Sequence, residues 1–267
     1  MKSLRSSVLT LFFSVAFVFS LLTLKAIAQT TGVQSARVPV IVELFTSEGC
    51  SSCPPADVLL QQLEAQQPVP GAEIIALEEH VDYWNHDGWV DPYSSAQWTD
   101  RQQNYSTLVK QDSYTPELVV DGRSQFLGSN PQQAAAEIRK AATVAKTPVS
   151  ITAEAEAEGR KRFKVSVGRL EGSGDDVVEV WIAVTEDGLR SQVSRGENAG
   201  KALQHVATLR SLQKIGVADA GAPVAFTGEK EVKFDSRWNV EHLHVTVFVQ
   251  KRKSREILGA ASVGAKS

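Results

Sequence analysis

The chain has 267 residues, with 28 Lys and Arg against 31 Asp and Glu, a net charge of −3. Hydrophobic residues make up 42% and charged ones 22%, a globular composition that excludes a disordered chain, a collagen-like fibre and a disulfide-dense miniprotein. The missing basic excess excludes a general nucleic-acid binder, which needs cationic groups to meet phosphates. The length suits one large domain or two of ordinary size.

Lys2 and Arg5 precede an apolar run over residues 8–24, and Ala26-Ile27-Ala28 places small residues where a signal peptidase cuts. This layout predicts a secretory signal peptide over residues 1–28, with an uncleaved anchor as the alternative. Without Lys2, Arg5 and Lys25 the remainder carries 25 basic and 31 acidic residues, a net −6. No later stretch is apolar enough to span a bilayer, so no membrane association is expected after cleavage.

Residues 29–36 read as a short polar tail. The β-branched run 38–45 predicts a buried strand. It leads into Cys50-Ser51-Ser52-Cys53, followed by a helix whose Ala56, Leu59, Leu60 and Leu63 share one face. Pro54 and Pro55 fit only the first turn of that helix. Residues 74–77 predict a second buried strand and residues 96–110 a second helix capped by Ser94 or Ser95. Residues 117–120 and 124–127 flank Asp121-Gly122, a hairpin turn signal. Asn130-Pro131 then opens a third helix with the stripe Ala134, Ile138, Ala141, Ala142 and Ala145.

Beyond Pro148 the pattern turns to strands: 149–155, 163–167, 177–184, 224–234, 243–249 and 257–263. Residues 198–216 read as a helix or a long connection. The expectation is an α/β domain over residues 37–147 and a mostly-β, sandwich-like domain over 148–267.

Cys50 and Cys53 are the only cysteines, and in an exported chain such a pair persists as a disulfide. A four-residue loop contributes only about 2 kcal/mol in the chain-entropy model, so the pair is better placed for chemistry than for strength. At a helix N-terminus, unpaired N–H groups and the helix dipole stabilise the thiolate that attacks in disulfide exchange. Cys50 is the expected, exposed nucleophile and Cys53, one turn inside, the resolving thiol. An inert bridge and a metal site remain the alternatives.

These residues resemble the thioredoxin fold, with Thr115-Pro116 similar to its cis-proline loop. The resemblance implies that this proline packs against the CxxC and that Thr115-Pro116 helps hold a substrate. More closely, the chain resembles the exported thioredoxin-like family known as domain of unknown function 1223. The matching stretches are Glu43-Leu44-Phe45-Thr46-Ser47-Glu48-Gly49-Cys50-Ser51-Ser52-Cys53-Pro54-Pro55-Ala56-Asp57 and His80-Val81-Asp82-Tyr83-Trp84. Gly88-Trp89, Asp91-Pro92, Tyr114-Thr115-Pro116 and Gly196-Glu197-Asn198-Ala199-Gly200 also match. The resemblance implies a fold and an exported location, and no particular reaction. Ser51-Ser52 stands where thioredoxins carry Gly-Pro, so the redox poise is not transferable. Glu43, seven residues before Cys50, corresponds to the buried carboxylate of thioredoxins as a proton acceptor for Cys53; a strand-end salt bridge is the alternative.

Residues 80–92 are dense in His80, Asp82, Tyr83, Trp84, His86, Asp87, Trp89 and Asp91. They are expected to cap the CxxC and line a substrate groove with Trp84, or else the aromatics simply bury the loop. The metal alternative joins Cys50 and Cys53 to His80 or His86 on Cu(I) or Zn(II). Met1 is the only methionine, so a thioether ligand is absent. His242 and His244 alternate on a predicted strand, sharing a solvated face opposite Leu243, Val245, Val247 and Val249. Residues 196–200 lack the Lys and spacing of a P-loop and read as a tight turn. The functional expectation is thiol–disulfide exchange with exported proteins or small thiols, without an organic cofactor and without nucleic acid.

Overall fold

The computed structural model describes residues 37–157 and 159–266, so the predicted signal peptide and the tail before residue 37 lie outside the described residues. In chain order the first elements are β1 (Val38–Thr46), α1 (Pro54–Gln66), β2 (Ala72–His80), α2 (Ala96–Val109), β3 (Glu117–Val120), β4 (Ser124–Leu127) and α3 (Pro131–Ala141). β5 (Val149–Ala157), β6 (Arg160–Gly168), β7 (Val178–Glu186), β8 (Leu189–Gln192) and β9 (Ala202–His205) follow. β10 (Thr208–Ala218), β11 (Val224–Lys233), a 3-10 turn (Val240–His242), β12 (Leu243–Lys251) and β13 (Ile257–Gly264) complete the described fold.

Local chemistry sets the helix ends. The Ser95 side chain accepts the Gln97 N–H at the start of α2, and Asn130 accepts the Gln133 N–H ahead of Pro131 in α3. α1 has no side-chain cap and opens on Pro54-Pro55, whose missing N–H groups leave fewer orphan donors there.

The fold is mixed α/β, built on one large mixed sheet. Its eight strands run β13-β12-β7-β10-β2-β1-β3-β4. β1 and β2 are parallel, β3 is antiparallel to β1, and β3 and β4 form the expected hairpin. A three-stranded sheet, β11-β6-β5, and the β8-β9 hairpin stand apart.

Strand alternation decides what each face meets. Val40, Val42 and Leu44 of β1 pack with Ala56, Leu60 and Leu63 of α1 and Ile138 of α3. On the same side, Val180, Ile182 and Val184 of β7 and Val245, Val247 and Val249 of β12 meet Phe163, Val165 and Val167 of the small sheet. The opposite side joins Ile41, Ile75, Leu77, Ala183 and Phe248 to Trp98 of α2.

Three strands differ from expectation in a way that shapes the site. Residues 198–216 contain β9 and most of β10, not a helix. Register shifts between Leu209 and Ser211 and between Lys214 and Gly216 break the two-residue alternation, which hides β10 from pattern reading. β10 pairs with β7 along its length and meets β2 in parallel at Thr208 and Glu78. The large sheet therefore takes four strands from each side of Thr147, and the described residues cluster as one unit. β2 also runs beyond the expected Leu77 to His80, with Glu78, Glu79 and His80 all buried. His242 lies in the 3-10 turn before β12 rather than on the strand. It and His244 both turn to Asp187, through Nδ1 to the Asp187 carbonyl oxygen at 3.2 Å and through Nε2 to the carboxylate at 3.0 Å.

Candidate functional site

β1 ends at Thr46, and a tight turn carries the chain to α1. Gly49 N–H donates to Ser47 Oγ at 3.1 Å, Cys50 N–H to the Ser47 carbonyl at 3.1 Å, and Cys53 N–H to the Cys50 carbonyl at 3.2 Å. Cys50 and Cys53 form a disulfide across this turn, with Cα atoms 5.4 Å apart. Both cysteines are 0% exposed, against the expectation of an exposed Cys50, because the turn is packed under neighbouring loops; Ser51 and Ser52 between them are exposed.

Two remote loops close over the turn. From the loop between β8 and β9, the Asn198 amide donates to the carbonyls of Glu48 at 2.8 Å and Cys50 at 2.9 Å. Lys201 Nζ donates to Asn198 Oδ1 at 2.8 Å, which fixes that amide's orientation, and Glu197 accepts the Ser51 N–H at 3.2 Å. The loop after β2 comes in beside it: a Cβ on Gly49 would sit 3.0 Å from Trp84 Cβ, a tight approach that a larger residue would crowd. Gly196 has φ +74°, and a Cβ there would lie 3.0 Å from the Asp87 carbonyl oxygen. The two loops thus pack on each other as well as on the disulfide turn.

The expected site residues divide into those that gather here and those that do not. Trp84 Nε1 donates to Thr115 Oγ1 at 2.8 Å. The Thr115–Pro116 peptide bond is cis, and the Pro116 carbonyl accepts the Gly128 N–H at 2.9 Å. Gly128 in turn lies against Leu44, Ala56 and Pro116, which ties the proline to the root of α1. Glu43 points elsewhere. Strand alternation puts it on the α2 side, opposite the face that Val42 and Leu44 present to α1. There it accepts from Arg101 Nε at 2.5 Å and from the Tyr105 hydroxyl at 2.6 Å. It is a buried ion-pair residue, and its partner is Arg101 rather than Cys53. His86 is exposed beside Asp87, at 3.7 Å.

His80 belongs to a buried polar ring beneath the disulfide turn. His80 Nδ1 lies 2.7 Å from Asp91 Oδ2, and that same oxygen accepts the Glu48 N–H at 2.8 Å. The Glu48 carboxylate takes Trp89 Nε1–H at 2.7 Å and sits 3.1 Å from His205 Nε2. His205 Nδ1 is 3.2 Å from Glu78 Oε1, and Thr208 donates to Glu78 Oε2 at 3.1 Å. Glu78 Oε2 faces His80 Nε2 at 3.6 Å, which returns the ring to its start. Glu48, Glu78, His80, Asp91 and His205 are each at most 2% exposed.

Electrostatics follow the geometry. Burial pulls His80 down, but the Asp91 and Glu78 carboxylates override it and hold the ring well above its ordinary value. His205 rises to about 9 against the same burial penalty, through Glu78 and Glu48. Burial opposes ionisation of Glu78, and His205 and His80 outweigh it, taking that carboxyl down to about 2. On α1, burial and then the Glu78 charge push Asp57 up to about 7, although it accepts the Thr46 hydroxyl at 2.6 Å.

Sequence reasoning assigns no role to Glu48, Glu78, Asn198 or His205, and names Asp91 only as one of the polar groups in residues 80–92. Glu48, Asp91 and Asn198 lie inside the family-like stretches, which was the available signal. Glu78 and His205, 127 residues apart, carry no local pattern that pairs them.

Outside the buried site, a groove of about 540 Å³ runs from Ser51 along Pro54, Pro55 and Val58 of α1 to Pro131 and Lys201.

Comparison with known proteins gives a consistent placement without an activity. A protein of Agrobacterium tumefaciens, AGR_C_4864, superposes with a TM-score of 0.64 at 23% identity, covering 86% of this chain and 95% of that one. HBP35 of Porphyromonas gingivalis superposes with a TM-score of 0.63 at 16% identity, covering 85% of this chain and 75% of that one. At these identities the likeness is one of fold alone. No curated protein matches the chain. The family model for DUF1223, described as a protein of unknown function, matches residues 41–250, and the chain belongs to that family.

Proposed function

We propose that this protein performs thiol–disulfide exchange through Cys50 and Cys53, on a thioredoxin-like unit formed by residues 37–147. The observation that carries the reading is the joined cysteine pair at the mouth of α1, with Ser51 and Ser52 exposed and an apolar-edged groove leading away from Ser51. The strand order β2-β1-β3-β4, with β3 antiparallel to its neighbours, supports the fold assignment. A disulfide with so short a loop contributes little to a core of this size. Its persistence suits an oxidising compartment, in keeping with the export signal read from residues 1–28.

The chemistry starts from the oxidised pair. A partner thiolate attacks Cys50 Sγ, the Cys50–Cys53 bond breaks, and Cys53 leaves as a thiolate. A second thiolate of the partner attacks its own sulfur in the mixed disulfide, and Cys50 leaves as a thiolate. Two electrons pass from the partner dithiol to the pair, and the partner ends as a disulfide. The reverse sequence reduces a partner, and the relative reduction potentials set the direction. Because both cysteines are covered, access to Cys50 comes through displacement of the Asn198 loop. Thr115 and Trp84 border the opening, and the groove along α1 receives the substrate chain.

The test is a mixed-disulfide trap. Cys53→Ser leaves Cys50 without its resolving partner, and incubation with an oxidised protein substrate is expected to give a covalent adduct that dithiothreitol releases. Cys50→Ser is expected to give far less. If neither variant traps a substrate, and glutathione buffers do not exchange with the wild-type pair, the disulfide is an inert bridge.

A further inference from the structure

We propose that Glu78, His80 and His205 form a binding site for one divalent zinc-class ion, buried under the CxxC turn and independent of the cysteine sulfurs. The ligand atoms of these three residues all lie within 4.8 Å of one another. The Glu78 carboxylate stands between the two imidazoles, 3.2 Å from His205 Nδ1 and 3.6 Å from His80 Nε2. Zinc bonds of about 2.0–2.1 Å in tetrahedral geometry put neighbouring ligand atoms roughly 3.4 Å apart. The separations, to Glu78 Oε1 from His205 and to Glu78 Oε2 from His80, lie on either side of that value, so the three groups stand at the spacing that ligands of one ion take.

An independent observation points the same way. His80 Nε2 is fully buried and has no hydrogen-bond partner among the described residues. It aims at Glu78 from 3.6 Å, beyond hydrogen-bonding reach. A buried ring nitrogen that faces a carboxylate from beyond hydrogen-bonding reach leaves part of its desolvation cost uncompensated. A metal ion supplies that partner.

The outer nitrogens complete the case. His80 Nδ1 bonds to Asp91 and His205 Nε2 to Glu48. Each imidazole therefore presents its inner nitrogen to Glu78 while a carboxylate holds the outer one. That is the second-shell arrangement that orients histidine ligands and makes them more basic. Two imidazoles and one carboxylate favour zinc-class ions over calcium or magnesium, which take oxygen ligands. The Tyr93 ring stacks edge-on against both imidazoles, at 5.4 and 5.6 Å, and is half-buried. Bound there, the ion fixes Glu48 through His205, and with it the turn that carries Cys50.

The experiment uses the oxidised full chain, stripped with chelator and titrated with Zn²⁺ by calorimetry, with metal content measured by mass spectrometry. One equivalent is expected. Glu78→Gln and His80→Ala are expected to weaken binding at least a hundredfold, and Asp91→Asn about 10- to 100-fold. The Cys50→Ser/Cys53→Ser double variant is expected to bind as wild type. Wild-type protein loaded with Co²⁺ gives a readout that does not depend on the folding of any variant. A visible ligand-field spectrum without thiolate charge-transfer absorption supports the site. Failure of the oxidised wild type to retain zinc or cobalt overturns it. So does zinc binding that vanishes in the cysteine double variant and survives in Glu78→Gln. Neither result bears on the mixed-disulfide trap, so the two readings stand or fall separately.

Discussion

The side-chain amide of Asn198 donates to the Cys50 carbonyl at 2.9 Å, across 148 residues of sequence. A second bond from the same amide holds Glu48, so one asparagine fastens the loop between β8 and β9 over the disulfide. Removing it leaves the loop with the weaker hold of Glu197 on the Ser51 N–H and does not touch sulfur.

Asn198→Ala is expected to speed reduction of the disulfide by dithiothreitol. Two hydrogen bonds at about 1 kcal/mol each amount to roughly 30-fold in the population of the open loop. The check is the rate of thiol release in wild type and variant at equal reductant. An unchanged rate means that the loop does not govern access.

Val58 is half-exposed on α1 and lines the groove that starts at Ser51. Val58→Glu places a charge where a substrate chain would bury apolar surface, with a loss of about 1.5 kcal/mol or roughly tenfold in kcat/KM. The loss is expected for a protein or peptide substrate and not for dithiothreitol, which needs no groove. Equal losses on both substrates argue against docking there.

Arg101 is the structural counterweight of the α2 face. It bonds Glu43 at 2.5 Å, lies 3.3 Å from Glu79 and also reaches Gln250 and Tyr105. Arg101→Met keeps the apolar stem and removes the charge, leaving two acidic side chains buried without their cation. Breaking a buried pair in this way costs about 3–5 kcal/mol. Denaturant unfolding measures it, and a change below about 1 kcal/mol shows that the network is not what stabilises this face.

Glu117 follows Pro116 and is 1% exposed. Burial pushes its carboxyl from the usual 4.5 up to about 7, against a hydrogen bond from Gln102 and with help from the Glu43 charge. A raised carboxyl pKa means that the native state binds more protons than the unfolded state between these values. The contribution of Glu117 to stability therefore falls as pH rises from about 4.5 through 7, by on the order of 3 kcal/mol, and is constant above that interval. Glu117→Gln is expected to remove that slope, so its stability advantage over wild type grows across the interval and is constant above it. Denaturant titrations at pH 5, 6 and 8 decide the matter, and a pH-independent difference between the two proteins contradicts it.

The order of strands and helices was legible in the sequence wherever local periodicity is unbroken. β1, the α1 stripe, the Asp121-Gly122 hairpin and the Asn130 cap all occur as their residues predict. β10 was not, because its two register shifts erase the alternation by which a strand is read. Glu43 was legible as a buried strand carboxylate, but which face it occupies depends on where α1 and α2 dock. His80 was picked out for its chemistry, yet its partners proved to be Asp91, Glu78 and His205 rather than the cysteines.

By itself the sequence determined the CxxC turn at the entrance to α1, the family-like stretches around it and the run of secondary elements, all features carried by neighbours within a few turns. Tertiary structure alone decided that β10 joins the two halves of the large sheet, that Asn198 bonds the Glu48 and Cys50 carbonyls and that Glu48, Glu78, His80, Asp91 and His205 form one ring. The reason is physical. Burying charged groups is tolerated only when partners from distant segments meet them, and periodicity along the chain records which residues are buried without recording what they will meet.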